Sequence, residues 1–243
     1  MNDREYAAYW RGVHGRGGND LALVCFPDKP PYYNRFFDRI QRYALRRYLR
    51  REAGSIAAAR LLDVGCGRGR WLRFFREEFG VEGIGIDFSR DAVLACVRGG
   101  HQAVAGSVGD IPFRDGAFSL LTSITVLLHL PMSLKERAVA EISRVLSSGG
   151  RAVLLEGTWD DPAPHVYGVR LEGWKRLFSD RGMRLVHVSG HYFNFARRSL
   201  PGSSPLRDRV AIFLDYPLEF VSMRLAEGRS SASALQHLMV FEK

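Results

Sequence analysis

The sequence predicts an α/β fold with a mostly parallel sheet covered by helices on both faces. Three observations carry this expectation. Short apolar runs alternate with amphipathic helical segments through the middle of the chain. The first run ends in glycines that lead straight into a helix. The second ends in an aspartate, one strand–helix–strand unit later. At 243 residues the chain can bury one large core with added covering segments.

Taken in order, residues 1–30 are irregular, punctuated by Gly12, Gly15, Gly17 and Gly18 and then by Pro27 and Pro30. From Tyr33 to Glu52 apolar residues recur at three- and four-residue steps with arginines between them, which predicts an amphipathic helix or a pair of helices. Leu61–Val64 is a buried strand stopped by glycine, and Trp71–Phe79 a helix. Ile84–Ile86 is a second strand, and Ser89 or Asp91 can cap the helix that runs through Arg98. Ala103–Ala105 and Phe118–Ser123 are the third and fourth strands. Ser133–Leu146 is a helix ended by Gly149-Gly150, and Ala152–Leu155 the fifth strand. Arg170–Arg181 reads as a helix turning Leu171, Trp174, Leu177 and Phe178 inward. Arg184–Val188 is a sixth strand and Leu238–Phe241 a seventh. Residues 194–234 form a long insertion with helical stretches near Leu206–Leu214 and Leu218–Glu227, and insertions of this length are usually functional. The expected organisation is one compact domain: an N-terminal helical lid, residues 1–57, on an α/β unit, residues 58–243, whose insertion 194–234 adds to the lid.

Composition narrows the function classes. No apolar run is long enough for a membrane helix, and the polar start Met1–Glu5 lacks a signal-peptide pattern, so the expected location is cytoplasmic. Cys25, Cys66 and Cys96 form no CxxC pair, which argues against a disulfide framework or a zinc site. The net charge of +9 comes almost wholly from arginine spread along the chain, so it is a weak pointer to nucleic acid.

The strongest local signal is Leu61-Leu62-Asp63-Val64-Gly65-Cys66-Gly67-Arg68-Gly69. Its glycines let backbone approach a ligand at the carboxyl end of a strand. Asp87 closes the next strand, where a carboxylate can accept two hydrogen bonds from ribose hydroxyls. A nicotinamide dinucleotide fingerprint, G-x-G-x-x-G, would need glycine where Arg70 stands. Asp63 also disfavours an anionic pyrophosphate and suits a ligand with an ammonium and a sulfonium.

Leu61–Gly69 resembles motif I of the class I S-adenosylmethionine-dependent methyltransferases. The resemblance continues through Gly85-Ile86-Asp87-Phe88-Ser89, Gly109–Phe118, Val126–Leu130 and Arg144–Gly150, and so covers about residues 58–157. It implies a Rossmann-like sheet of seven strands, the last one antiparallel, and S-adenosylmethionine as cofactor. Asp63, Gly65, Cys66, Gly67 and Gly69 would belong to the methionine end of the site. Asp87 would hold the ribose and Phe88 would face adenine. Ser107, where relatives often carry aspartate, and Val108 would lie at the adenine edge, and Ile124 would face the methionine moiety.

Methyl transfer needs a base only when the acceptor holds its proton at neutral pH. His129, after the fourth strand, is the first candidate; a loop or helix-capping histidine is the alternative. His165 is a weaker one, in the loop that also holds Trp159 and Tyr167. These two, with Tyr32 and Tyr33, are candidates for lining a substrate pocket. No metal is expected, because no acidic ligands follow the fourth strand at Ser123-Ile124-Thr125. Lys29-Pro30-Pro31-Tyr32 lacks the polar acceptor of DNA amino-methyltransferases, and no cysteine stands near proline as RNA cytosine-C5 enzymes need. The favoured substrate is therefore a small organic, aromatic or apolar molecule methylated on oxygen or nitrogen, with Arg35 or Arg39 available for an acidic group on it. The alternatives are an RNA-modifying methyltransferase and a non-catalytic S-adenosylmethionine-binding protein.

Overall fold

The structure is a computed structural model. It describes Tyr9, Trp10, Gly12, Leu21 and residues 29–52, 56–160, 166–195 and 204–243. Helix α1 spans Pro31–Leu49. Then β1 (Leu61–Val64), α2 (Arg70–Phe79), β2 (Gly83–Asp87), α3 (Arg90–Arg98), β3 (Gln102–Ala105) and β4 (Phe118–Ile124) follow. The chain closes with α4 (Met132–Val145), β5 (Leu146–Gly157), α5 (Leu171–Ser179), β6 (Arg184–His191), α6 (Pro205–Leu225) and β7 (Gln236–Glu242).

The seven strands form one sheet in the order β3-β2-β1-β4-β5-β7-β6, with β7 alone antiparallel to its neighbours β5 and β6. Successive residues of the central strands enter opposite cores. Leu61, Leu120 and Val153 face one, and Leu62, Leu121 and Leu154 the other. That two-sided burial is why these strands read as continuous apolar runs rather than alternating ones. The first core holds Ile40, Leu45 and Leu49 of α1, Trp71, Phe74 and Phe75 of α2, and Met223 of α6. The second holds Val139 and Ile142 of α4 with Trp174 and Phe178 of α5.

Two local expectations change. Helix α4 does not run on to Gly149-Gly150. It stops at Val145 and β5 begins at once, with Leu146 paired to Phe118 and Arg151 to Leu120, a register shift along the pair. The two helical stretches expected near Leu206–Leu214 and Leu218–Glu227 are one continuous helix, α6. Pro217 sits inside it on the exposed face, where a lost backbone bond costs least. Helix α1 lies in the core on the sheet face, and none of its residues lines the pocket at the carboxyl ends of β1 and β4.

The stretch between β3 and β4 has no helix, and one side chain fixes it. Arg144 donates to the carbonyls of Ile111 and Phe113 and to Asp115 and Glu141, while Glu141 accepts the Ile111 N–H. No described helix is long and apolar enough to cross a membrane.

Candidate functional site

Strand order reverses between β1 and β4, and in open parallel sheets ligands bind outside the carboxyl ends of the strands at that point. A pocket of about 300 Å³ lies there, the lower end of the size range of small-molecule sites. Gly65 and Gly67 after β1, Ile86–Phe88 at the end of β2, Gly106–Val108 after β3 and Ile124–Val126 after β4 line it. Trp10, His129, Leu130, Leu134 and Arg137 complete it.

The β1 turn is built for close approach. Gly65 has φ +67°, and a Cβ there would stand 2.5 Å from Val126 Cγ2. Gly65 and Cys66 both donate to the Ile86 carbonyl, which ties the turn to β2. Asp87 reaches across the same gap. Its Oδ2 accepts the Gly67 N–H at 2.9 Å and its Oδ1 accepts that of Ser89. Ser89 then caps α3 by accepting the Ala92 N–H, as its sequence position predicts.

Asp63 sits one step back along β1, 1% exposed and outside the pocket lining. Thr122 Oγ1 donates to its Oδ1 at 2.7 Å, and Oδ2 is buried with no hydrogen-bond partner. Burial pushes its pKa up to about 7, opposed by the Thr122 bond and reinforced by Asp87. An unpartnered acceptor beside a glycine-walled pocket meets the needs of a ligand with a cationic end, and Asp87 supplies an acid on the far side of the turn.

The turn after β4 is held from β5. Glu156, fully buried, accepts the N–H groups of Val126, Leu127 and Leu128 and the Ser123 hydroxyl, and burial raises its pKa to about 7. This turn carries Thr125, a β-branched residue at φ +56°, and leads into the 3₁₀ turn Leu127–His129. Strain of this kind concentrates at sites that hold ligands. His129 faces the pocket with the Trp10 ring edge-on at 4.8 Å.

Of the candidate cofactor residues, Gly65, Gly67, Asp87, Phe88, Ser107, Val108 and Ile124 surround one pocket, together with His129. Cys66 and Gly69 do not line it. Cys66 is buried in the core, and Gly69 begins α2 at φ +82° where a Cβ would meet Cys96 and His101 at 2.9 Å. The candidate substrate aromatics stand apart from it. Tyr33 is 1% exposed and bonded to the Tyr192 hydroxyl, and Tyr32 lines a surface groove with Phe213. Trp159 packs on Gly157, and Tyr167 is tied to the Leu128 carbonyl through its backbone. His165 lies outside the described residues. Sequence reasoning missed Trp10, Thr125, Arg137 and Glu156. Only Glu156 left a trace, as an acid directly after the apolar run Val153–Leu155.

Residues 62–154 match the family model described as a methyltransferase domain. Ajmaline N-methyltransferase of Rauvolfia serpentina is 34% identical over 43% of this chain and 38% of its own length. Tocopherol O-methyltransferase of Arabidopsis thaliana is 38% identical over 50% of this chain and 36% of its own. The chain thus spans well under half the length of these two relatives. Across 98% of this chain and 96% of the other, the fold is shared with geranyl diphosphate C-methyltransferase of Streptomyces coelicolor A3(2), at a TM-score of 0.63 and 17% identity. The motif match and the sheet order agree: residues 62–154 are similar to a methyltransferase domain, within a sheet of Rossmann-like methyltransferase topology.

Proposed function

We propose that the protein binds S-adenosylmethionine in the pocket at the carboxyl ends of β1 and β4 and methylates an oxygen or nitrogen of a small organic acceptor. The observation that carries this reading is the buried, unpartnered Oδ2 of Asp63 beside a pocket walled by Gly65, Gly67 and Asp87. S-adenosylmethionine, when bound, supplies a sulfonium methyl group that the acceptor's lone pair takes, leaving S-adenosylhomocysteine. Asp63 accepts from the cationic methionine end. Asp87 accepts from ribose hydroxyls, and Phe88 with Ser107 and Val108 encloses the adenine. Trp10 closes the pocket over His129 and excludes water. His129 takes the acceptor's proton at a ring nitrogen when the acceptor carries one, and returns it to solvent.

The relatives' names, an alkaloid N-methyltransferase and a tocopherol O-methyltransferase, support an acceptor of small, largely apolar character. Burial of Cys66 and Cys96 as free thiols supports a reducing, cytoplasmic setting.

Calorimetric titration with S-adenosylmethionine and S-adenosylhomocysteine tests the reading, with Asp87→Ala as control. Micromolar binding by the native chain and a loss of about ten- to a hundredfold in the variant is the expected result. Absence of binding by the folded native chain overturns it.

A further inference from the structure

Helix α6 turns two of its acids inward and a stripe of apolar residues outward. Asp215 and Glu219 are fully buried. The Glu219 carboxylate accepts the N–H groups of Phe193 and Asn194 in the turn after β6, where Tyr192 and Asn194 hold positive φ. The remaining acid, Asp208, pairs with Lys29 and Arg207. On the opposite side Leu206, Val210, Phe213, Leu214, Val221 and Leu225 are exposed, Phe213 by 79% and Leu225 by 75%. Their three- and four-residue spacing makes one stripe along the 21-residue helix. The other exposed positions are Arg209, Tyr216, Pro217, Leu218 and Arg224, so no exposed side chain among the described residues of α6 is acidic. Single apolar residues on a surface are ordinary, but a stripe the length of a helix marks a contact face.

The charge around the stripe selects the occupant. Arg209 and Arg224 flank it on α6. Arg35 and Arg39 of α1 are exposed beside it, with Arg39 Nη1 3.4 Å from the Tyr216 hydroxyl. A second copy set against this face about a two-fold axis would bring these arginines against their own copies, on a chain of net charge +9. A lipid surface rich in anionic headgroups satisfies both features, since its acyl boundary takes the stripe and its headgroups take the arginines. We propose that α6 docks the protein in the plane of an anionic lipid bilayer surface, without crossing it.

Sedimentation of the full chain with vesicles tests this. Vesicles of mixed phosphatidylglycerol and phosphatidylcholine should carry the protein down, and vesicles of phosphatidylcholine alone should carry little. Added salt should weaken the binding. The double variant Phe213→Glu, Val221→Glu should reduce partitioning at least about tenfold, as two buried apolar side chains predict, with an unchanged melting temperature. Arg209→Gln with Arg224→Gln should erase the preference for phosphatidylglycerol. Failure of the native chain to bind the mixed vesicles overturns the proposal, as does unaltered binding by the folded Glu variant. A dimer that the same Glu variant dissociates, in a protein that ignores vesicles, would assign the face to a second copy instead.

Discussion

The carboxylate of Glu156, at the end of β5, accepts the backbone N–H of Leu127 at 3.0 Å, in the turn after β4. With the bonds to Val126 and Leu128 it satisfies three N–H groups that no strand or helix pairs, at the point where the chain bends toward the pocket. The turn's geometry is therefore set from the neighbouring strand rather than by its own sequence.

Replacing Glu156 by Gln should show this role. The amide offers one acceptor oxygen where the carboxylate offers two, so the turn loses part of its support and the domain about 1–3 kcal/mol. The pH dependence has a defined sign. Burial raises the folded-state pKa from 4.5 to about 7. This group's contribution is full below about pH 4.5 and is lost as pH rises through about 7. The stability gap between native chain and variant should thus narrow from pH 5 to pH 8 in thermal melts. A constant gap would show that the raised pKa is not expressed.

Asp63→Asn should separate binding from folding. The Thr122 bond to Oδ1 survives the substitution, and removing a carboxylate that burial disfavours leaves stability little changed. Affinity for S-adenosylmethionine should fall about tenfold, because the unpartnered oxygen loses its negative charge toward a cationic ligand. Calorimetry on both proteins decides it, and equal affinities would remove Asp63 from the site.

His129→Gln should lower kcat by about a hundredfold or more on an acceptor that holds its proton, and much less on one already deprotonated. Cofactor affinity should stay within a few-fold of the native value. Equal kcat of the two proteins on the first acceptor would assign the proton to another group.

Most of this architecture was legible in the chain for a physical reason. Leu61–Val64 and Val153–Leu155 are buried on both sides, so they are apolar throughout, and Gly65, Gly67 and Asp87 mark where backbone must come close to a ligand. What stayed hidden depends on distant partners. Trp10 meets His129 across 119 positions of chain, and no local pattern encodes that contact. Glu156 shows only as an acid after an apolar run, and the backbone N–H groups it accepts carry no sequence signal. Tyr32 and Tyr33 read as pocket aromatics because they follow a proline pair. Tyr33 instead packs inside the sheet's covering layer and bonds Tyr192, a residue whose position depends on the turn after β6. Gly149-Gly150 read as a helix end because glycine commonly serves there, yet Gly149 lies within β5 and donates to the Lys243 carbonyl.

The acid side of the stability profile should trace to His191. It ends β6 at 1% exposure with neither ring nitrogen partnered, and burial lowers its pKa to about 3. A lowered histidine pKa means that the unfolded chain binds the proton more readily. Stability is therefore full above about pH 6.5 and is lost as pH falls toward 3. Between pH 7 and pH 5 this one group should cost about 2 kcal/mol. His191→Leu, which puts an apolar side chain of smaller demand in the same space, should flatten that limb. If the melting temperature of the variant falls as steeply as the native one, the loss lies elsewhere, with His237 the next group to replace, since burial lowers its pKa to about 4.

Gly65→Ala should fail in two ways that can be told apart. The backbone at φ +67° disfavours any side chain by about 1 kcal/mol, and the new Cβ would lie 2.5–2.6 Å from both methyls of Val126. Val126 is held by Glu156 through its N–H, so its backbone cannot retreat without breaking that bond. The clash must then move the β1 turn toward the pocket, where Gly67 and Asp87 meet. Cofactor affinity should drop by more than the stability loss alone explains. Adding Val126→Ala removes the steric part and leaves the backbone part, so the double variant should regain most of the affinity but not all of the stability. If the second substitution restores neither, the contact between the two turns does not shape the pocket, and the glycine is required at this position for its backbone conformation alone.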